Sequence, residues 1–182
     1  MRTIIPLLVV AATSLFFCKN MRADQWNQEV TLTFSNPVQI PGHVLEPGTY
    51  VFELGLGNTS QYENIVRVYN KSKDHLYGMF LTIPDYRLTR TNKVVLEFAE
   101  RPVGSPEAIY AWFYPDHKTG HEFVYPESEA RRLAEANNRP VASMPDSTNV
   151  ANEDALKQAH VNAVTPGGQE VETKTVFGAP AH

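Results

Sequence analysis

"AWFYPDHKTGHEFVYP", Ala111–Pro126, decides the fold. Two runs of aromatic and apolar residues flank "DHKTG", a polar stretch ending in a glycine, which is turn chemistry. The flanks "IYAWFYP" and "HEFVYP" therefore read as two strands of a hairpin. In the first, alternation sets Tyr110, Trp112 and Tyr114 on one face and Ile109, Ala111 and Phe113 on the other. Both faces are apolar, which predicts a central strand covered on both sides. The face made only of Tyr and Trp has two uses. Large aromatics fill cores; they also stack on sugar rings while their N–H and O–H groups reach hydroxyls. The core is the reading adopted. Tyr110, Trp112 and Tyr114, with Tyr125 of the partner strand, are carried as candidate ligand-binding residues.

The same period runs outward from the hairpin. "VTLTFSNPVQI" turns Val30, Leu32 and Phe34 one way and Thr31, Thr33 and Ser35 the other. Pro47-Gly48 makes a turn before a strand with Tyr50, Phe52 and Leu54 aligned. "IVRVYN" and "HLYGMFLTI" form a second hairpin around "KSKD". "KVVLEFAE" is a further strand, and "LGNTSQYEN", "PDYRLTRTN" and "RPVGSPEA" are connections. About seven short strands separated by turn signals predict a mainly β fold, an antiparallel sandwich. One helix follows. "ESEARRLAEANN" spaces Ala130, Leu133 and Ala134 helically, with Glu127 and Glu129 at its positive end and Asn137 or Asn138 to stop it. Short and weakly apolar, it is expected against a sheet edge. From Asp146 to His182 a single aromatic, Phe177, remains among many Asn, Thr, Glu, Pro and Gly. That composition predicts a disordered or weakly helical tail over 146–182, after a β domain over 24–145.

The N-terminus gives the compartment. Met1-Arg2 is followed by the uncharged apolar run Ile4–Phe17, the length of a signal-peptide core and short of a membrane span. Ala23 is a small residue at a cleavage position, so 1–23 reads as a signal peptide and the mature chain as secreted or periplasmic. Cleavage removes Cys18, the single cysteine, and leaves about 160 residues, enough for one core without disulfides. No later run is long enough to span a bilayer. A net charge of -4 with no basic run argues against nucleic acid.

Catalytic chemistry is sparse. Asp116, His117, His121 and Glu122 are metal-ligating types, but Lys118 sits among them and no HExxH helix is present, so no metal is expected. His43 and His75 are further histidines of the body. There is no GxSxG elbow and no SxxK pair, and "GLGNTS" lacks the helix of a phosphate loop. No cofactor is implied. Asp85 could pair with Glu97 or Glu100 as acid and base, a separation the sequence does not reveal. "PDYRLTR" places Asp85 and Arg87 in one connection, where an Arg–Asp pair would lock the loop; both are candidate ligand-binding residues as well. Asn58-Thr59-Ser60 and Asn70-Lys71-Ser72 match glycosylation sequons.

The phrases "ADQWNQEVTLTFSNPVQIPGHVLEPGTYVFEL", "YNKSKDHLYGMFLTIPDYR", "FAERPVGSPEAIYAWFYP" and "EFVYPESEARRLAEANNRPV", in this order from Ala23 to Pro145, resemble a family of uncharacterised secreted bacterial proteins known from acidobacterial genomes. The resemblance implies export to an envelope or extracellular setting. It implies no activity and no catalytic residue. The expected function is that of a non-catalytic β module binding envelope glycan, another protein or itself; the alternative is a small secreted hydrolase.

Overall fold

Alternating burial builds the first strands. The computed structural model describes residues 23–24, 29–55, 64–101 and 104–177. The expected signal peptide up to residue 22, with Cys18, and the Asn58 sequon lie outside the described residues. In chain order the elements are β1 (Ala23–Asp24), β2 (Glu29–Phe34), β3 (Val38–Ile40), β4 (His43–Leu45), β5 (Gly48–Leu54), β6 (Ile65–Asn70), β7 (Leu76–Tyr86), β8 (Val95–Ala99), β9 (Glu107–Phe113), β10 (Thr119–Phe123), β11 (Tyr125–Pro126), α1 (Glu127–Asn137), β12 (Val141–Met144), α2 (Glu153–Gln158), β13 (Asn162–Val164), β14 (Glu170–Glu172) and α3 (Thr173–Val176). The protein is mainly β. In β2, Val30, Leu32 and Phe34 are buried while the residues between them are half-exposed. Tyr50, Phe52 and Leu54 of β5 are buried in turn.

The described residues hold fourteen strands rather than about seven. The expected seven are β2 and β5 to β10. The excess is short strands of two to four residues, which carry too few side chains to show a period. "VTLTFSNPVQI" is not one strand: it breaks at Ser35–Pro37, and β3 pairs in parallel with β9, through Val38 with Glu107.

Ten strands form one sheet in the order β1-β2-β5-β6-β7-β10-β9-β3-β4, with β8 on the other edge of β9. Both expected hairpins are present, β6 with β7 and β9 with β10. β7 is divided between neighbours: Leu76 to Leu81 pairs with β6, Thr82 to Tyr86 with β10. Phe52 of β5 and Trp112 of β9 are separated by three strands in this order, yet their rings meet edge to face with centroids 6.4 Å apart. From its second residue on, β9 is buried throughout, as expected of a strand apolar on both faces.

The second sheet, β11-β12-β13-β14, follows from one crossover. β11 and β12 are parallel, with α1 as the connection between them. Asn138 ends the helix in the left-handed conformation (φ 49°), the position at which Asn substitutes for glycine. Ala130, Leu133 and Ala134 are buried, and the helix lies across β11, β12 and β13. It therefore covers a sheet face, not the expected edge. Polar anchors hold it to the large sheet: the Glu129 carboxylate accepts from Gln39 Nε2 (2.9 Å) and the Gly42 amide (3.3 Å), and Asn137 Nδ2 donates to the Glu100 carbonyl (3.0 Å).

The expected disordered tail is corrected over residues 146–177. β13 pairs with β12 through Val164–Val141, Ala163–Ala142 and Asn162–Ser143, so position 145 is no domain boundary. Leu156, Ala163 and Val164 are fully buried, Leu156 in a cluster with Ile65, Met79, Leu81, Val124 and Met144. Arg67 binds Glu153 at 2.6 Å. Few apolar residues suffice because each enters a site already built by the body. No helix among the described residues is long and apolar enough to cross a membrane.

Candidate functional site

The register of β7, β10 and β9 assembles a polar cluster that no local motif announces. Gly120 lies opposite Asp85 on one side and Phe113 on the other; Glu122 lies opposite Ile83 and Ala111. The two-residue period then sets Asp85, Gly120, Glu122 and Phe113 on one face. Glycine is needed at 120, since a Cβ there would drive into the Phe113 ring.

Tyr110 joins this face through a bulge. On β8, Glu97 opposes Ala111 and the next residue, Phe98, opposes Ile109, so Tyr110 is the unpaired residue of β9. A bulge breaks alternation. The expected shared face of Tyr110, Trp112 and Tyr114 is accordingly corrected. Trp112 and Tyr114 stay together, centroids 4.8 Å apart. Tyr110 instead meets Arg139, whose guanidinium carbon stands 3.4 Å from the ring centroid, and its hydroxyl donates to the Pro140 carbonyl at 3.1 Å.

Glu122 is the centre of the cluster. It is 2% exposed, and its Oε1 has no hydrogen-bond partner. Burial pushes its carboxyl up from 4.5 to about 8; the Asp85 charge adds to this, while the Tyr110 hydroxyl, the Arg139 guanidinium and the Ala142 amide oppose it. At neutral pH the group is mainly the neutral acid. Burial also raises Asp85, whose carboxylate accepts from the Tyr86 amide at 2.6 Å. The Tyr110 phenol is driven far up, first by burial and then by Glu122. The expected partners of Asp85, Glu97 and Glu100, are replaced by Glu122, because only the β7–β10 register decides the neighbours.

His121 occupies the opposite face of β10. Its ring packs on Trp112, centroids 5.8 Å apart, and its Nδ1 is 3.3 Å from Thr82 Oγ1. Burial, and then the neighbouring His117, push it down to about 4. His117 and Asp116 sit on the exposed turn, so the four metal-ligating types of the opening stretch diverge. Among the described residues no three His, Cys, Asp or Glu side chains converge. His43 and His75 do approach one another's surroundings: both rings contact Tyr77, at 6.1 and 4.6 Å.

The aromatic candidates lie inside. Trp112 and Tyr125 are fully buried, and Tyr110 and Tyr114 nearly so, which leaves no solvent-facing platform of these four rings. Tyr125 donates to the Ile109 carbonyl at 2.6 Å and so ties β11 to β9. Arg87 does lock its loop, but not through Asp85: its Nε donates to the His117 carbonyl (3.1 Å), an Nη to the Tyr114 carbonyl (3.4 Å), and its guanidinium lies over Phe113. Sequence reasoning missed Arg139 and the role of Glu122. An acid within "HEFVYP", an otherwise apolar strand, was the one signal for the latter. No family model, curated protein or solved structure matches this chain.

Proposed function

We propose that the protein is an exported, non-catalytic antiparallel β-sandwich that works by binding a partner in the bacterial envelope or outside the cell. The sandwich reading takes β2, β5, β6 and the first half of β7 as one layer and the rest of the large sheet as the other; the Phe52–Trp112 contact supports it. Export rests on the apolar run Ile4–Phe17 and on the resemblance to secreted bacterial proteins.

One observation carries the binding reading: the reactive groups are enclosed and the apolar ones are offered. Glu122 is 2% exposed, and a general acid has to reach its substrate. Among the described residues, Val44, Leu76, Tyr86 and Leu88 are the large apolar side chains presented to solvent. The protein recovered from the periplasm or medium should begin at Asp24 and be retained on envelope material, glycan or protein. An intact Met1 on a membrane-bound species refutes export, and absence of retention refutes binding.

The second reading, a small hydrolase, is favoured by one fact: Asp85 and Glu122 share a face, and each is perturbed by burial and Glu122 by the other's charge. It requires turnover of glycoside or ester substrates that Glu122→Gln abolishes without unfolding the protein.

A further inference from the structure

Two segments at one end of the large sheet are stitched into a single tip. The first runs from Tyr86, the last residue of β7, to Lys93, the second from Pro115 to Lys118 between β9 and β10. The Arg87 amide donates to the Lys118 carbonyl (2.9 Å) and the Asp116 amide to the Thr91 carbonyl (2.6 Å). Arg87 adds its bonds to the His117 and Tyr114 carbonyls, and Thr91 Oγ1 donates to the Lys93 carbonyl (2.8 Å). Asp116 holds a left-handed conformation (φ 61°), and Val94 is buried beneath. The backbone here is fixed by its own hydrogen bonds.

On this fixed tip Leu88 is 94% exposed and Tyr86 57%. Of the large apolar residues named above these are the most exposed, and they stand two positions apart. Their companions are basic. The two segments carry Arg87, Arg90, Lys93 and Lys118 against a single acid, Asp116, in a chain whose net charge is -4. Arg90, Lys93 and Lys118 are exposed.

We propose that this tip docks the protein on an anionic lipid surface, with Leu88 and Tyr86 entering the headgroup boundary and the cations facing lipid phosphates. The proposal rests on the reading of the protein as an exported binding module, and it names the partner. Charge alone would suit an acidic polysaccharide equally. The protruding leucine decides for lipid: it gains by leaving water for acyl chain, whereas a hydrated glycan offers it nothing, and Tyr at the boundary keeps its hydroxyl in water. Each cation near an anionic leaflet adds a salt-dependent attraction.

The test takes the protein as the cell exports it, its N-terminus read by mass spectrometry, so that failed export is seen separately from failed docking. Sedimentation is measured with phosphatidylglycerol-containing vesicles and with pure phosphatidylcholine vesicles. The protein should partition onto the anionic vesicles at least about tenfold more strongly, and lose that preference in 0.5 M salt, a condition of roughly 4 Å screening length. Leu88→Ser and Arg90→Glu should each lower partitioning about tenfold with the melting temperature unchanged. Equal partitioning onto both vesicles, no partitioning at all, or a Leu88→Ser variant that binds like the parent overturns the proposal. So does retention by a soluble acidic polysaccharide that Leu88→Ser leaves intact, which would make the tip a glycan site.

Discussion

Replacing Glu122 by Gln should stabilise this protein, and more so as pH rises. The side chain keeps its shape and loses its ability to ionise. In the unfolded chain the carboxyl titrates near 4.5; in the fold it titrates at about 8. A raised carboxyl pKa means that folding disfavours the charged form. The stability of the parent protein is therefore full below 4.5 and falls as pH rises through 8. At pH 7 the loss is about 3 kcal/mol, and above pH 9 it approaches about 5 kcal/mol, at 1.36 kcal/mol per unit. Glu122 is enclosed, so water screens little of this. The substituted glutamine cannot ionise, although its amide also leaves a polar atom short of partners where the Glu122 Oε1 already lacks one. Urea denaturation at pH 5, 7 and 9 measures the effect. The difference between variant and parent should grow by about 3 kcal/mol or more from pH 5 to pH 9. His121 works in the other direction: it titrates at 6.5 unfolded and about 4 folded, so its contribution is present above 6.5 and is lost as pH falls through 4. In the parent the two slopes cancel between 4.5 and 6.5, whereas in Glu122→Gln stability should climb from pH 4 to 6.5 and then level. A variant whose difference from the parent is the same at all three pH values refutes the argument, because Glu122 would then be ionised and solvated in the fold.

Further outcomes follow from packing. Trp112→Ala should lose about 3–5 kcal/mol, read by denaturant unfolding, because the indole is fully buried against Phe52, Tyr114 and His121. Gly120→Ala should cost about 1–3 kcal/mol, since the new methyl meets the Phe113 ring. Ending the chain after Pro145 strips β13 from β12 and removes Leu156 and Val164; at about 1.5–3 kcal/mol per buried side chain the melting temperature should drop by roughly 6 °C or more. An unchanged melting temperature would return those residues to the status of a dispensable tail.

Much of the β architecture was legible because it rests on period two. Val30, Leu32 and Phe34, or Tyr50, Phe52 and Leu54, state their inward face in the sequence, and both hairpins were marked by polar turns between apolar runs. The helix was legible to within a residue of its end, since of the two expected stops, Asn137 and Asn138, it is Asn138 that supplies the left-handed cap. What stayed hidden depends on pairing between distant segments. β12 and β13 are each too short to alternate, and the core acquires them only because the α1 crossover lays β12 beside β11. Tyr110 was placed wrongly by one register step, because a bulge is a property of two strands and not of one. The Asp85–Glu122 neighbourhood likewise needs the register of β7 against β10, while Arg139 comes from the segment that follows the helix cap, Asn138.

That origin of Arg139 says what keeps Glu122 dry. The groups closing over it from beyond β10 come from one return segment: Arg139, which stacks on Tyr110; Pro140, which takes the Tyr110 hydroxyl; and Ala142, whose amide faces the carboxyl. The same segment leads into β12, the strand on which β13 and the end of the described chain depend. Ionised Glu122 is disfavoured only while this cover is closed. Above pH 8 the charge gains by opening it, so the cost should fall on the β12–β13 pairing before it falls on β2 or β5, which share a core cluster with Val141 and Val164 but pair with neither β12 nor β13. Hydrogen exchange resolves the two: the amides of β12 and β13 should lose protection at pH 9 relative to Glu122→Gln while those of β2 and β5 do not. Uniform loss across both sheets would mean that the cover does not open alone and that Glu122 acts on global unfolding.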